Sequence, residues 1–165
     1  MNQPSLNTFI FLQVQIYQRF KSTIMATVNA YLTFNGNCEE AFNFYKTIFG
    51  GEFTTVQRFK DMPAEYKSPE DEAEKIMHIF YRFSNETCLM GSDSSSMFGD
   101  AVIGDNFSLS VNVDSDAECT RIFNALAEGG EVTMPLQKVF WGALFGSLTD
   151  KFGINWMISH ELPKA

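Results

Sequence analysis

Residues 30–52 read AYLTFNGNCEEAFNFYKTIFGGE, and 79 positions later residues 109–131 read LSVNVDSDAECTRIFNALAEGGE. Leu32-Thr33-Phe34, a Cys/Glu-rich helix start, Phe44 and Gly50-Gly51-Glu52 find counterparts in Val111-Asn112-Val113, a similar helix start, Phe123 and Gly129-Gly130-Glu131. Self-similarity at a fixed period predicts two copies of one supersecondary unit. In each copy an alternating strand leads into an amphipathic helix, about 38–49 and about 116–128, that stops at a glycine pair, the residue type that tolerates a left-handed cap. Asn37 and either Asp114 or Ser115 are the candidate N-caps, and Glu39, Glu40, Asp116 and Glu118 suit the positive end of each helix.

Three strand-like runs follow each helix, at roughly 52–60, 75–84 and 87–91, then at 131–138, 141–149 and 154–159. The predicted fold is α+β, with two βαβββ modules (about 28–94 and 106–160) in a single domain spanning 26–162 and sheets curved around a cleft. The charged, Pro-containing stretch 61–75 reads as a solvated connection or a lid. The stretch Ser92 to Asp105, with Gly99 and Gly104, could fold over the mouth of the cleft.

The 165 residues suit one packed domain, and 45% apolar residues with 17 Phe supply a sizeable core. Lys and Arg number 12 against 20 Asp and Glu, a net charge of −8 without a basic stripe. That balance disfavours nucleic acid and anionic membrane surfaces as partners. No apolar run approaches the roughly 20 residues a membrane-spanning helix needs. Cys38, Cys88 and Cys119 are odd in number and widely spaced, which predicts reduced thiols and a cytoplasmic protein.

Residues 1–25 hold Arg19 and Lys21 but no acid, unlike the rest of the chain. Phe9-Ile10-Phe11-Leu12 lacks the basic start and cleavage site of a secretory signal. Met25-Ala26-Thr27 precedes the first strand as an initiator would, so this leader reads as an upstream extension of the reading frame or a short docking helix.

Strand alternation assigns the faces. Phe107, Leu109, Val111 and Val113 should turn to the helix, and Ser108, Ser110 and Asn112 away from it. The same register puts Leu32 and Phe34 inward and Asn29, Tyr31 and Thr33 on the polar face. That face either meets water or lines the cleft between the modules.

The run Tyr31 to Asn37 with Glu39-Glu40-Ala41 and Phe44 to Gly51 resembles the first strand and helix of the vicinal oxygen chelate superfamily. Met77-His78, Leu89 to Ser94, Phe140-Trp141-Gly142 and Asp150 to Ile158 resemble its PhnB-like branch, often labelled 3-demethylubiquinone 3-methyltransferase. The likeness covers about 28–160 and implies the glyoxalase/bleomycin-resistance fold and a homodimer, for which edge strands offer a route. No Gly-rich turn followed by an acidic residue on the next strand is placed to hold a nucleotide-like cofactor. Metal-dependent relatives carry His or Gln and Glu on the first and last strands of each half. Here those places fall on Asn29, Ser108, Met157 and about Met90, a set that does not suit a divalent ion, so neither metal nor cofactor is expected.

His78, in the strand Ile76 to Phe83, is the candidate for proton transfer, or else a hydrogen-bonded histidine packed on the sheet. Tyr31, Phe80, Met90, Ser108, Asn155 and Met157 are candidate ligand contacts. Trp141 either stacks on a ligand or packs in the core. Asp93 either holds a cationic group or caps a turn. Trp156 should face the second helix, and His160 should be solvated in the C-terminal tail. The resulting expectation is a cleft binding a small organic ligand without metal, with catalysis left open. The alternatives are a metal-dependent lyase or dioxygenase and a drug-sequestration protein of the bleomycin-resistance type.

Overall fold

A computed structural model of the chain describes residues 28–66, 69–84 and 87–163. The leader 1–25 lies outside the described residues. The elements run β1 (Ala30–Phe34), α1 (Cys38–Phe49), β2 (Glu52–Arg58), β3 (Ile76–Arg82), β4 (Cys88–Asp93), β5 (Leu109–Asn112), α2 (Asp116–Ala127), β6 (Glu131–Val139), β7 (Ala143–Thr149) and β8 (Asn155–Glu161). They form two four-stranded sheets of identical order, β1-β4-β3-β2 and β5-β8-β7-β6. β1 runs parallel to β4 and β5 parallel to β8, while the remaining pairs are antiparallel. The sequence repeat is thus a βαβββ repeat, and the two sheets do not close into one.

Each helix buries one stripe. Cys38, Ala41, Phe42, Tyr45 and Ile48 are buried on α1, and Cys119, Ile122, Phe123 and Leu126 on α2, the spacing that brings i, i+3, i+4 and i+7 to one side. Leu32 and Phe34 turn inward as alternation requires, and both helical stripes join a single core. Ser115 caps α2 by accepting the Glu118 N–H at 3.2 Å. Asn37 makes no such side-chain bond. The cap of α1 comes instead from Asp93, whose Oδ1 accepts the N–H groups of Gly36 and Cys38 at 3.1 and 2.9 Å.

The repeated glycine pairs have a two-part cause. Gly50 and Gly129 take φ of 72° and 74°, the left-handed turn that ends each helix. At Gly51 an added Cβ would stand 2.4 Å from the Arg82 carbonyl, and at Gly130 2.3 Å from that of Thr149. The second glycine of each pair lets the chain pass tightly beside the end of β3 or β7.

The modules are joined through α1. The Tyr45 hydroxyl donates to Asp150 Oδ2 at 2.8 Å, and Trp156 Nε1 donates to the same oxygen at 2.9 Å. Asp150 Oδ1 accepts from Phe152 N and Ile154 N, so this buried carboxylate is fully engaged. Burial, then the Asp150 charge and its hydrogen bond, push the Tyr45 phenol well above its ordinary pKa.

Several expectations change here. Trp156 does lie on the helical side of its sheet, but the rings it meets are Tyr45 and Phe49 of α1, at 5.4 and 5.7 Å. Phe107 precedes β5 and stays exposed. His160 is part of β8, not a solvated tail; its Nδ1 lies 2.9 Å from the Val113 carbonyl. Among its described residues, the stretch 61–75 contains short 3-10 turns at Ala64–Tyr66 and Glu70–Glu72.

Candidate functional site

The candidate residues fall into separate groups. On the helix-free face of the first sheet, Met90 is in register with both Tyr31 of β1 and Phe80 of β3. His78 lies two residues along β3, its Nδ1 3.4 Å from the Tyr31 hydroxyl and its ring stacked on that of Tyr31 at 5.9 Å. His78 is half-buried and Tyr31 half-exposed.

On the corresponding face of the second sheet, Met157 is in register with Ser110 and Ser147. Ser108 sits just before β5, half-buried. Asn155 donates to the carbonyls of Phe107 and Gly104 at 3.2 and 3.4 Å and accepts from Thr149 Oγ1 at 2.7 Å. Trp141 lies in the turn between β6 and β7, exposed, with Phe140 and Phe145 rings 4.8 and 5.6 Å away. Asp93 is the last residue of β4 and is buried; besides capping α1, its Oδ2 accepts Ile76 N at 2.8 Å. Its two oxygens therefore serve three backbone N–H groups.

A pocket of about 390 Å³ opens where the two modules meet. The first module lends it Thr33, Phe34, Asn35 and Asn37. The linker lends Ala101 to Gly104, Asn106 and Phe107, and the second module Phe152 to Asn155. Asn35 holds the linker in place, donating to the Ala101 carbonyl at 3.1 Å and accepting Ala101 N at 2.8 Å and Ser94 Oγ at 2.9 Å. Of the residues singled out from the sequence as ligand contacts, only Asn155 lines this pocket. Asn35, Asn37 and Asn106 were missed. The available signal was the polar Asn35-Gly36-Asn37 turn, read only as a helix start, together with the Gly104-Asp105-Asn106 break between the modules.

The side chains at the expected metal-ligand positions do not suit a divalent ion. Asn29 Oδ1 is engaged with the Cys88 thiol at 3.1 Å, and its counterparts Ser108, Met90 and Met157 supply a hydroxyl and two thioethers. Among the described residues no three His, Cys, Asp or Glu side chains stand together as a metal site needs. Thiol chemistry is also disfavoured at the helix starts: burial, then Asp93 and Glu39, push the Cys38 pKa far up, and burial with Asp116 raises that of Cys119.

With this geometry in view, the sequence profile of the family described as 3-demethylubiquinone-9 3-methyltransferase matches residues 26–159. Protein YjdN of Escherichia coli (strain K12) is 32% identical over 143 residues, covering 80% of this chain and 93% of its own. The crystal structure of protein PA1353 from Pseudomonas aeruginosa is 43% identical with a TM-score of 0.75, covering 84% of this chain and 99% of that one. A putative 3-demethylubiquinone-9 3-methyltransferase, PhnB protein, from Bacillus cereus is 26% identical with a TM-score of 0.68, covering 82% and 99%. More distant solved structures of the glyoxalase/bleomycin resistance/dioxygenase group share the fold.

Proposed function

The chain belongs to the 3-demethylubiquinone-9 3-methyltransferase family, the PhnB-like branch of the glyoxalase-fold proteins, and from this we propose that it binds a small, uncharged, polar organic molecule between its modules without a metal ion. The observation that carries the reading is the inter-module pocket, whose volume of about 390 Å³ falls within the range of about 300–1,000 Å³ for small-molecule sites. Asn37 and Asn106 offer donors and acceptors without formal charge, Asn35 and Asn155 being spent on holding the linker, while Phe34, Ile103, Phe107 and Phe152 offer apolar walls. Such a lining favours a neutral hydrocarbon frame bearing hydrogen-bonding groups over a carboxylate or phosphate.

Thr33, which lines the pocket, lies two residues along β1 from Tyr31, outside the lining. His78 is the residue we assign to any proton transfer. Methyl transfer is not part of the proposal, because the sequence offers no strand–turn–helix motif for a nucleotide-like methyl donor. We further propose a cytoplasmic homodimer in which a second copy covers Tyr31, Phe80 and Met90 on one sheet and Ser108, Met157 and Trp141 on the other. The exposed Tyr31, Trp141 and Met157 side chains support that arrangement.

The test is a thermal-shift screen of neutral polar molecules against the wild-type chain and Asn106→Trp, which fills the pocket from an exposed position. Stabilisation by a subset of compounds that disappears in Asn106→Trp supports the reading. Stabilisation that survives the substitution, or none across a broad screen, contradicts it.

A further inference from the structure

A second cavity lies at the far end of the first sheet. The 3-10 turns after β2 contribute Phe59, Met62 and Tyr66, β3 contributes Met77, and the turn after β4 contributes Met97 and Phe98, around about 450 Å³. It shares no lining residue with the inter-module pocket. Its walls are fastened together. Glu72 accepts the Ser95 hydroxyl at 2.7 Å and Ser96 N at 2.9 Å, with Lys75 Nζ at 3.2 Å, tying the segment after β2 to the turn after β4. Phe59 N and Lys60 N donate to the carbonyls of Lys75 and Ala73, and Phe98 N and Gly99 N both return to the Ser95 carbonyl. The cavity is therefore already formed and needs no folding of a loop around a guest.

Its chemistry is selective. Three methionines give polarisable walls that adapt to flat rings, and the aromatic side chains flank them. Phe98, Tyr66 and Met97 at the rim are 85%, 62% and 50% exposed, apolar area that a guest would remove from water. The charged side chains lining it, Glu65 and Asp93, are both acidic, and no Lys or Arg is among the described lining residues. Nearby cations are committed elsewhere: Arg58 to Glu39, Lys60 to Glu74 and Lys75 to Glu72. An anionic guest would enter an acidic, apolar cavity with no counter-charge among its described lining residues, which is costly.

We propose that this cavity is a second ligand site, for an apolar aromatic molecule carrying no negative charge. It is independent of the inter-module pocket and of the function assigned there. The probe for it is N-phenyl-1-naphthylamine, neutral and fluorescent in apolar surroundings, with 8-anilinonaphthalene-1-sulfonate as its anionic analogue. The proposal expects saturable one-to-one binding of the neutral probe and binding of the sulfonate weaker by roughly tenfold or more. Met97→Asp and Phe98→Ser, both at exposed positions and checked by unchanged melting, should each weaken the neutral probe by roughly tenfold. Asn106→Trp, in the other pocket, should leave it unchanged. Absence of saturable binding, equal affinity for the sulfonate, indifference to Met97→Asp and Phe98→Ser, or loss in Asn106→Trp would each overturn the proposal.

Discussion

The Tyr45 hydroxyl, on the first helix, donates at 2.8 Å to Asp150, in the turn before the last strand, across 105 residues of chain. This hydrogen bond works together with the packing of Trp156 on Tyr45 and Phe49 to set how the first module sits against the second, and the inter-module pocket inherits its shape from that fit. The same carboxylate holds Trp156 Nε1 and two backbone N–H groups, so it acts as the hub of the junction.

That hub predicts unequal costs. Tyr45→Phe removes one of four bonds to Asp150 and should cost about 1 kcal/mol. Asp150→Ala strands the Tyr45 hydroxyl, the indole N–H and two amides in a buried place and should cost about 3–5 kcal/mol. Urea unfolding of the two variants measures the difference; equal effects would mean that the carboxylate is not the hub.

Packing of β4 against the first helix is equally specific. A Cβ at Gly91 would lie 2.7 Å from the Phe42 ring and 2.8 Å from the Leu32 carbonyl. Gly91→Ala should therefore destabilise the chain by about 1–3 kcal/mol through overpacking. A chain with unchanged melting after that substitution would show that Phe42 can move aside.

Glu72 gives the fold a pH signature. The Ser96 N–H, then the Ser95 hydroxyl and Lys75, hold its pKa down to about 2. A carboxylate depressed in the folded state adds stability above its unfolded pKa and loses that contribution as pH falls through the folded value. Protection of the Ser96 amide from hydrogen exchange should thus decline below the ordinary glutamate range toward pH 2. Glu72→Gln should flatten that decline, and an equally steep decline in the variant would assign it to other groups.

The donor set predicts no stoichiometric metal. Elemental analysis after purification without chelators, and again after adding manganese, nickel, zinc or iron(II), should find less than one ion per chain. An ion bound one-to-one, with His78 among its ligands, would revive the lyase or dioxygenase alternative.

Periodic signals carried much of this structure in plain view. The 79-residue repeat, both helices and the inward turn of Leu32 and Phe34 come from local alternation and helical spacing, and each is present. The same alternation turned Tyr31 away from the helix, and Met90 of β4, in register with it, pairs also with Phe80 of β3. Long-range polar choices left no such trace. Asp93, read as capping a turn or holding a cation, caps a helix 55 residues away, and Asp150 receives a tyrosine from the other module; the neighbouring sequence names neither of these distant partners. The inter-module pocket was obscured for a related reason. Its wall follows a linker whose path is set by Asn35 holding Ala101 and Asn155 holding Phe107, contacts that only the folded chain creates.

The direct measurement is amide chemical-shift mapping with a neutral polar compound found to stabilise the protein. Perturbations concentrated at residues 33–37, 101–107 and 152–155 are the predicted result. Perturbations confined to the sheet faces around His78 and Met157, with those three segments unmoved, would contradict the claim that the junction of the two modules is where this chain binds its ligand.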